Sequence, residues 1–232
     1  MKVWIRKILY SVGVNIIFPG EHSVQGLKRY AIEFFQRQSR GILHIGASTG
    51  QEAPEYHRLN LPILWIEGDP ETFEGLKVRL KRFPDQKAMN LLLSDRDAEV
   101  DFFVTDNSGL SSSVHPLTSK GRQDFKIKNV QSKRLSANRL DSIKNIDFGV
   151  YDFWTLDVQG HELQVLKGAE LSLKHAKWIL IEVSTVQFYE NQSLFSEIHV
   201  WLTSRGFSLI YNINSTHKEV IYVRNKTISS EK

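Results

Sequence analysis

The 232-residue chain contains no cysteine. That single absence removes disulfide scaffolds, thiolate zinc sites and cysteine nucleophiles together. Glycine and proline are sparse, at 14 and 6 residues, which excludes collagen-like and low-complexity architectures. No apolar run reaches the roughly 18 to 20 residues that cross a bilayer. What is present is ordinary globular composition, 41% hydrophobic, 11% aromatic and 24% charged, sufficient for the core of one domain. Catalysis in such a chain falls to carboxylates, histidines, hydroxyls or a bound cofactor.

The formal net charge of +4 is unevenly spread. Residues 1–40 hold seven Lys or Arg against two Asp or Glu, while the rest of the chain is nearly balanced. A second basic stretch contains Lys120, Arg122, Lys126, Lys128, Lys133, Arg134 and Arg139 against Asp124 alone. Local excess of this kind reads either as a solvated surface or as a site for an anionic partner. Nucleic acid is not expected, because Phe125 is the only aromatic interleaved there. Near the start, Lys2, Arg6 and Lys7 accompany an apolar stretch at 8–18 that contains Asn15 and is followed by no small-residue cleavage site. It reads as a basic amphipathic helix, packed on the domain or in peripheral contact with anionic lipid, rather than a signal peptide. The expected organisation is a basic helical arm over 1–40 and one domain over 41–226, in the cytoplasm.

Along the domain, apolar runs alternate with helical periodicity. Strands are predicted at 41–45, 63–67, 87–93, 100–105, 151–158 and 178–183. Helices are predicted at 24–38, 51–59, 70–82, 137–143, 162–174 and 194–204. The segment 106–116 is rich in Ser, Asn and Gly and reads as a loop. Strand-forming runs at 207–213 and 220–224, with a polar turn at 214–217, close the chain as a hairpin. The pattern predicts an α/β fold with a mostly parallel sheet and an antiparallel ending.

Ligands of open α/β sheets bind beyond the carboxyl ends of the strands. The first strand runs into Gly46-Ala47-Ser48-Thr49-Gly50, a G-x-x-x-G turn without the third glycine of a dinucleotide fingerprint, which argues against a nicotinamide dehydrogenase. Glu67 ends the second strand, where a carboxylate can hold a ribose diol. Ser94-Asp95 ends the third. Asp157 leaves an apolar strand just before His161 and Glu162. Glu162 has a simple alternative role, a first-turn carboxylate on the helix dipole. Asp157 is harder to explain structurally, because a lone buried carboxylate is costly. Trp154 and Trp178 lie within strands and are assigned to the core.

Taken in order, HIGASTGQEA, WIEGDPETFEGLK, LLLSDRDAEVDFF, DNSGLSSSV, RLDSI, YDFWTLDVQGHELQVLKGAE and WILIEVS resemble the FkbM family of S-adenosylmethionine-dependent methyltransferases. The resemblance covers 41–224. It implies a class I methyltransferase fold, a Rossmann-like three-layer sandwich with a mostly parallel seven-stranded sheet and an antiparallel C-terminal hairpin. It also implies methyl transfer to a hydroxyl of a sugar, glycan or related natural product. By the same resemblance, Gly46, Ala47, Ser48, Thr49 and Gly50 cradle the methionine moiety, Glu67 followed by Gly68 and Asp69 takes the ribose, Ser94 and Asp95 flank the adenine, and Asp157 lies beside the methyl. The chain departs from the family at His44, usually Asp, and at Gln159, usually Glu. Neutral imidazole at 44 can still hydrogen-bond the cofactor's amino acid group.

Deprotonating a hydroxyl acceptor calls for a base, and the candidates are Asp157, His161 and Glu182. His161 has the most suitable unperturbed pKa. The same three side chains are also candidates to converge on a divalent ion, although no metal is assigned. Ser111 to Ser113, with Arg122, Lys126 or Lys128, are expected to wall an acceptor that can be anionic. The competing reading is a catalytically impaired protein of this fold that binds an anionic partner through its basic surfaces.

Overall fold

The computed structural model describes residues 24–144, 146–211 and 217–225. The amphipathic stretch expected at 8–18 and most of the expected turn at 214–217 lie outside the described residues. Among the described residues, no helix is long and apolar enough to cross a membrane.

The main sheet begins with β1 (Ile42–Ile45), β2 (Ile63–Glu67) and β3 (Gln86–Asn90) and continues with β7 (Phe153–Leu156), β8 (Trp178–Ser184), β9 (Phe207–Tyr211) and β10 (His217–Arg224). Their spatial order is β3-β2-β1-β7-β8-β10-β9. Neighbours from β3 to β8 run parallel, and β10 is antiparallel to both β8 and β9. The expected mostly parallel sheet with its antiparallel ending is therefore present. Every residue of β1, β2 and β7 is buried, which is why these strands read as mostly apolar runs, with His44, Glu67 and Thr155 the exceptions.

Period-two alternation divides those side chains between two cores. Leu43, Ile45, Leu64, Ile66, Trp154 and Leu156 pack with α5 (Glu162–Gly168) and α6 (Phe195–Ser204). Ile42, Ile63, Trp65 and Phe153 pack on the other face with α1 (Val24–Arg37), α2 (Ala53–His57) and α3 (Pro70–Leu80). Phe35 of α1 is fully buried there, 5.9 Å from the Trp178 ring. The Arg40 backbone N–H and Nε both donate to Asp152, at 2.8 and 3.1 Å.

Two expectations are corrected. The run at 87–93 is not one strand: β3 ends at Asn90, and β4 (Leu92–Leu93) joins a separate three-stranded sheet in which β6 (Val130–Asn138) lies between β4 and β5 (Ala98–Thr105). The helix expected at 137–143 is instead the end of β6 (Val130–Asn138) followed by a 3₁₀ turn at Leu140–Ser142. β6 pairs antiparallel with all of β5 (Ala98–Thr105). Half of the basic stretch is thus a strand with one solvated face, whose Lys, Arg and Ser positions hide the alternation that would announce it. The rest of that stretch includes the short α4 (Ser119–Asp124). A smaller difference concerns the helix expected at 162–174, which ends at Gly168 before a 3₁₀ turn at Ser172–His175.

Chain order reverses at β1, which sends the chain to β2 on one side and has β7 on the other. This is where a ligand crevice forms in such sheets. Gly46 turns the chain there at φ +84°, and a Cβ at this position would lie 1.7 Å from the Asp157 carbonyl oxygen. Gly46→Ala therefore meets a left-handed backbone and a backbone clash together. A loss of about 3 kcal/mol or more is expected, to be read from denaturant unfolding against wild type.

Candidate active site

The turn after β1, the ends of β2 and β7, β4 and the 106–116 loop enclose a cavity of about 330 Å³. One wall is polar backbone at Gly46, Ala47 and Ser48, and another is apolar, with Ile66, Leu91, Leu92, Leu93, Phe102 and Leu110. Between them sits Glu67, only 8% exposed. Its two oxygens accept from the Ser48 and Asp69 N–H groups at 2.7 and 2.8 Å. Burial pushes its carboxyl up to about 7, against the opposing pull of those bonds. Each oxygen retains a lone pair for a further donor.

Asp69 caps α3, accepting from the Glu71 N–H and from Thr72 Oγ1. It also takes the Lys133 ammonium. This ion pair fastens the small sheet to the rim of the cavity.

At the end of β7, Asp157 meets Glu182 of β8. Gln159 Nε2 donates to Asp157 Oδ1 at 2.6 Å and to Glu182 Oε2 at 3.0 Å. Burial and the Glu182 charge hold the Asp157 carboxyl well above the usual range, a displacement that the Gln159 bond only partly offsets. Tyr189 fixes the amide by donating its hydroxyl to Gln159 Oε1 at 2.7 Å. Gln159 has φ +54°, and its carbonyl is held by Ser113 Oγ at 2.7 Å. Glu162 is 2% exposed and accepts through one oxygen, Oε1, from the Val158 and Gly160 N–H groups at 3.0 and 3.1 Å.

Residues 44–209 match the model of the methyltransferase FkbM domain. The chain belongs to the FkbM methyltransferase family. It is 22% identical over 178 residues to the 2-O-methyltransferase NoeI of Sinorhizobium fredii (strain NBRC 101917 / NGR234), covering 71% of each chain. Among solved structures it is similar to magnesium protoporphyrin IX methyltransferase (ChlM) from Synechocystis PCC 6803 with bound SAM. That likeness has 9% identity and a TM-score of 0.48 over 95% of this chain and 89% of the other. It is also similar to TrmK of M. capricolum in complex with S-adenosyl-homocysteine, at 12% identity and a TM-score of 0.44 over 89% and 70% of the two chains.

Within this FkbM domain the expected site residues separate into groups. His44, Gly46, Ala47, Ser48, Glu67, Gly68, Asp69, Asp157 and His161 line the cavity. Thr49 and Gly50 lie behind it, with the Thr49 carbonyl taken by Arg79 Nε at 2.6 Å and Gly50 packed against Leu76. Ser94 and Asp95 are also outside the lining, and the leucines just before them stand in their place. His44 is buried, stacks on Trp65 at 4.7 Å and bonds the Tyr56 hydroxyl at 3.0 Å. Burial lowers it to about 3, so it is neutral.

His161 does not join Asp157 and Glu182. Its ring nitrogens bond Ser94 Oγ and His115 Nε2, each at 3.0 Å, and burial lowers it to about 3. The third group beside Asp157 and Glu182 is Glu162, with ligand oxygens of all three within 4.8 Å of one another. This corrects the expected convergence on a cation. Arg122, Lys126 and Lys128 do not line this cavity, so the expected basic acceptor wall is not formed.

Burial, with the Glu182 charge next, raises Glu162 from 4.5 to about 7. A carboxyl raised by folding favours the native state below its unfolded pKa, and that contribution disappears as pH rises to the folded value. Glu162→Gln keeps the single accepting oxygen and removes the titration. Wild type is therefore expected to lose about 3 kcal/mol relative to Glu162→Gln between pH 4.5 and pH 8, read from unfolding curves of both proteins across that range.

Proposed function

We propose that the chain transfers a methyl group from S-adenosylmethionine to a hydroxyl of a sugar, glycan or related natural product. The observation that carries this reading is the Asp157–Gln159–Glu182 cluster, whose Asp157 and Gln159 line the cavity that also holds Glu67. Family membership and the printed activity of the 2-O-methyltransferase relative support it.

The cavity suits the cofactor in its chemistry. Glu67 offers backbone-fixed acceptors for a ribose diol, the leucines of 91–93 with Ile66 and Phe102 offer an apolar slot for a flat base, and Gly46 to Ser48 expose main chain to a polar tail. When bound, the sulfonium supplies an electrophilic methyl group. The protein's part is then position and proton removal. Burial and the Glu182 charge beside it disfavour ionisation of Asp157, so its carboxylate, once ionised, is the stronger base for the acceptor's hydroxyl proton. Gln159 holds that carboxylate in place. The neutral amide at 159 leaves base catalysis to Asp157. His161, with both nitrogens engaged, instead ties the α5 entrance to the end of β4.

Two measurements test the reading. In calorimetric titration, S-adenosylmethionine and S-adenosylhomocysteine are expected to bind at micromolar levels, and Glu67→Ala should weaken both at least about tenfold by removing charge-assisted bonds; no binding at millimolar ligand overturns the cofactor assignment. In methyl-transfer assays, kcat/KM should rise with pH through a value above the ordinary carboxylate range, because the base is inactive while protonated. Glu182→Gln removes the repulsion and should move that limb to lower pH. A limb that stays in place excludes Asp157 as the titrating base.

A further inference from the structure

The 106–116 segment roofs the cavity through Gly109, Leu110, Ser112 and Val114. Its tip crosses to the opposite rim, where a Cβ on Gly109 would lie 3.4 Å from Thr72 Oγ1 of α3. Ser108 and Gly109 make the crossing in consecutive left-handed conformations, at φ +62° and +77°. Asn107 stiffens the tip from within, accepting from Thr105 Oγ1 at 2.8 Å and donating to Ser111 Oγ at 2.9 Å.

At its returning end the same segment meets Gln159 in two ways. Ser113 exchanges main-chain bonds with Phe103 of β5, at 2.8 and 3.1 Å, and its Oγ donates to the Gln159 carbonyl. This tie holds the Gln159 backbone at its φ of +54°. The Tyr189 hydroxyl stands between the Ser111 carbonyl at 3.2 Å and Gln159 Oε1 at 2.7 Å, so its one proton serves both oxygens. Burial, with the Glu182 charge next, pushes that phenol above its ordinary value, and it stays a donor. The ring is placed without help from the hydroxyl. The Tyr189 N–H donates to Gln192 Oε1 at 3.2 Å, the Glu190 N–H donates to the Pro116 carbonyl at 2.8 Å, and the Phe125 ring lies 6.0 Å away.

The two ends of an amide are alike in shape, so hydrogen bonds decide which one faces a neighbour. Without the Tyr189 donor, Gln159 can turn its carbonyl toward Asp157 and Glu182, where its N–H groups now point. Lifting the 106–116 segment withdraws Ser113 from the Gln159 backbone and Ser111 from Tyr189 together. We propose that Tyr189 and Ser113 are positioning residues for methyl transfer, which make the orientation of the Gln159 amide on Asp157 depend on the seating of the 106–116 segment over the cavity. The inference rests on the methyl-transfer reading above. It adds that covering the cofactor and aligning the base are one event, so the base is assembled only in a closed site.

The test follows the Asp157 carboxyl by carbon-13 NMR in the full chain with labelled aspartate, its signal assigned by loss in Asp157→Asn. Spectra are taken with and without saturating S-adenosylhomocysteine. The charges acting on this carboxyl are those of Glu182 on β8 and Glu162 at the start of α5. Glu52 lines the same cavity, and His44 on the neighbouring β1 is neutral. The Gln159 bond pulls Asp157 downward. Tyr189→Phe, which keeps the ring, should therefore raise the titration midpoint by about half a pH unit or more, a threefold change in the ionisation constant. Ser113→Ala should move it the same way, and amide hydrogen exchange over 106–114 should quicken about fivefold or more in both variants. In a Gln159→Met background, Tyr189→Phe should leave the midpoint where Gln159→Met alone has put it, because the amide through which it acts is gone. A merely structural tyrosine would lower the melting temperature and leave the midpoint in place. An unmoved midpoint or unchanged loop exchange in either variant overturns the inference, as does an equal shift in the Gln159→Met background. Failure of S-adenosylhomocysteine to bind overturns the cofactor assignment and this inference with it, whereas an unmoved midpoint in a chain that binds it overturns the inference alone.

Discussion

Two partly buried carboxylates at the ends of adjacent parallel strands repel each other, and the Gln159 amide nitrogen between them makes the arrangement stable. An amide presents two N–H donors from one nitrogen, so it can serve Asp157 and Glu182 at once. The orientation of that amide depends on the Tyr189 hydroxyl, which identifies the carbonyl end by donating to it. Gln159 itself sits in a left-handed conformation that a non-glycine residue adopts only under constraint. The constraint comes from Ser113, whose hydroxyl holds the Gln159 carbonyl and accepts from the His115 N–H. His115 in turn reaches His161. The loop that covers the cavity and the acids at its floor are thus one connected network.

The second sheet performs the corresponding task at the other end of the cavity. The basic residues on it and in the segments flanking β6 are largely turned to nearby acids: Lys133 to Asp69, Arg134 to Asp101, Lys120 to Asp124 and Arg139 to Asp141. The Arg134 pair is exposed on both sides and contributes little to stability. Lys133 differs because Asp69 is buried and already caps α3. Bringing the ammonium to that carboxylate fixes the position of β6 relative to β2 and hence the position of Phe102 and the 106–116 loop over the cavity. A segment whose composition suggests an anion-binding surface is used instead to hold a lid-like sheet against the domain.

The parts of the structure legible in the sequence are those where one physical cause dominates. β1, β2, β7 and β8 are covered on both faces, so nearly every position is apolar and the runs stand out from their surroundings. Gly46 and Glu67 follow from the geometry of those ends. β6 was not legible because its side chains face solvent and acids in turn, and no apolar period survives. The exchange of His161 for Glu162 beside Asp157 was hidden for a different reason: one residue at a helix entrance changes which way a side chain points, and spacing alone does not fix it. The roles of Tyr189 and Lys133 depend on contacts 30 and 64 residues apart.

The charge state of the site follows from these placements. His44 and His161 are neutral, and Asp157, Glu162 and Glu67 are all raised. The site therefore resists carrying its full negative charge. A cation entering beside Asp157 reverses that balance, because an opposite charge within a few ångströms favours the ionised carboxylate. On the proposed reading the sulfonium is such a cation. Beside it Asp157 would be favoured in the ionised form in which it serves as the base. Gln159 keeps both carboxylates in position through that change, since its amide donates to either form and more strongly to the ionised one. A glutamate at 159 would add a third acid to the same low-dielectric space and would itself compete for the proton. The neutral amide thus separates holding the pair from titrating with it.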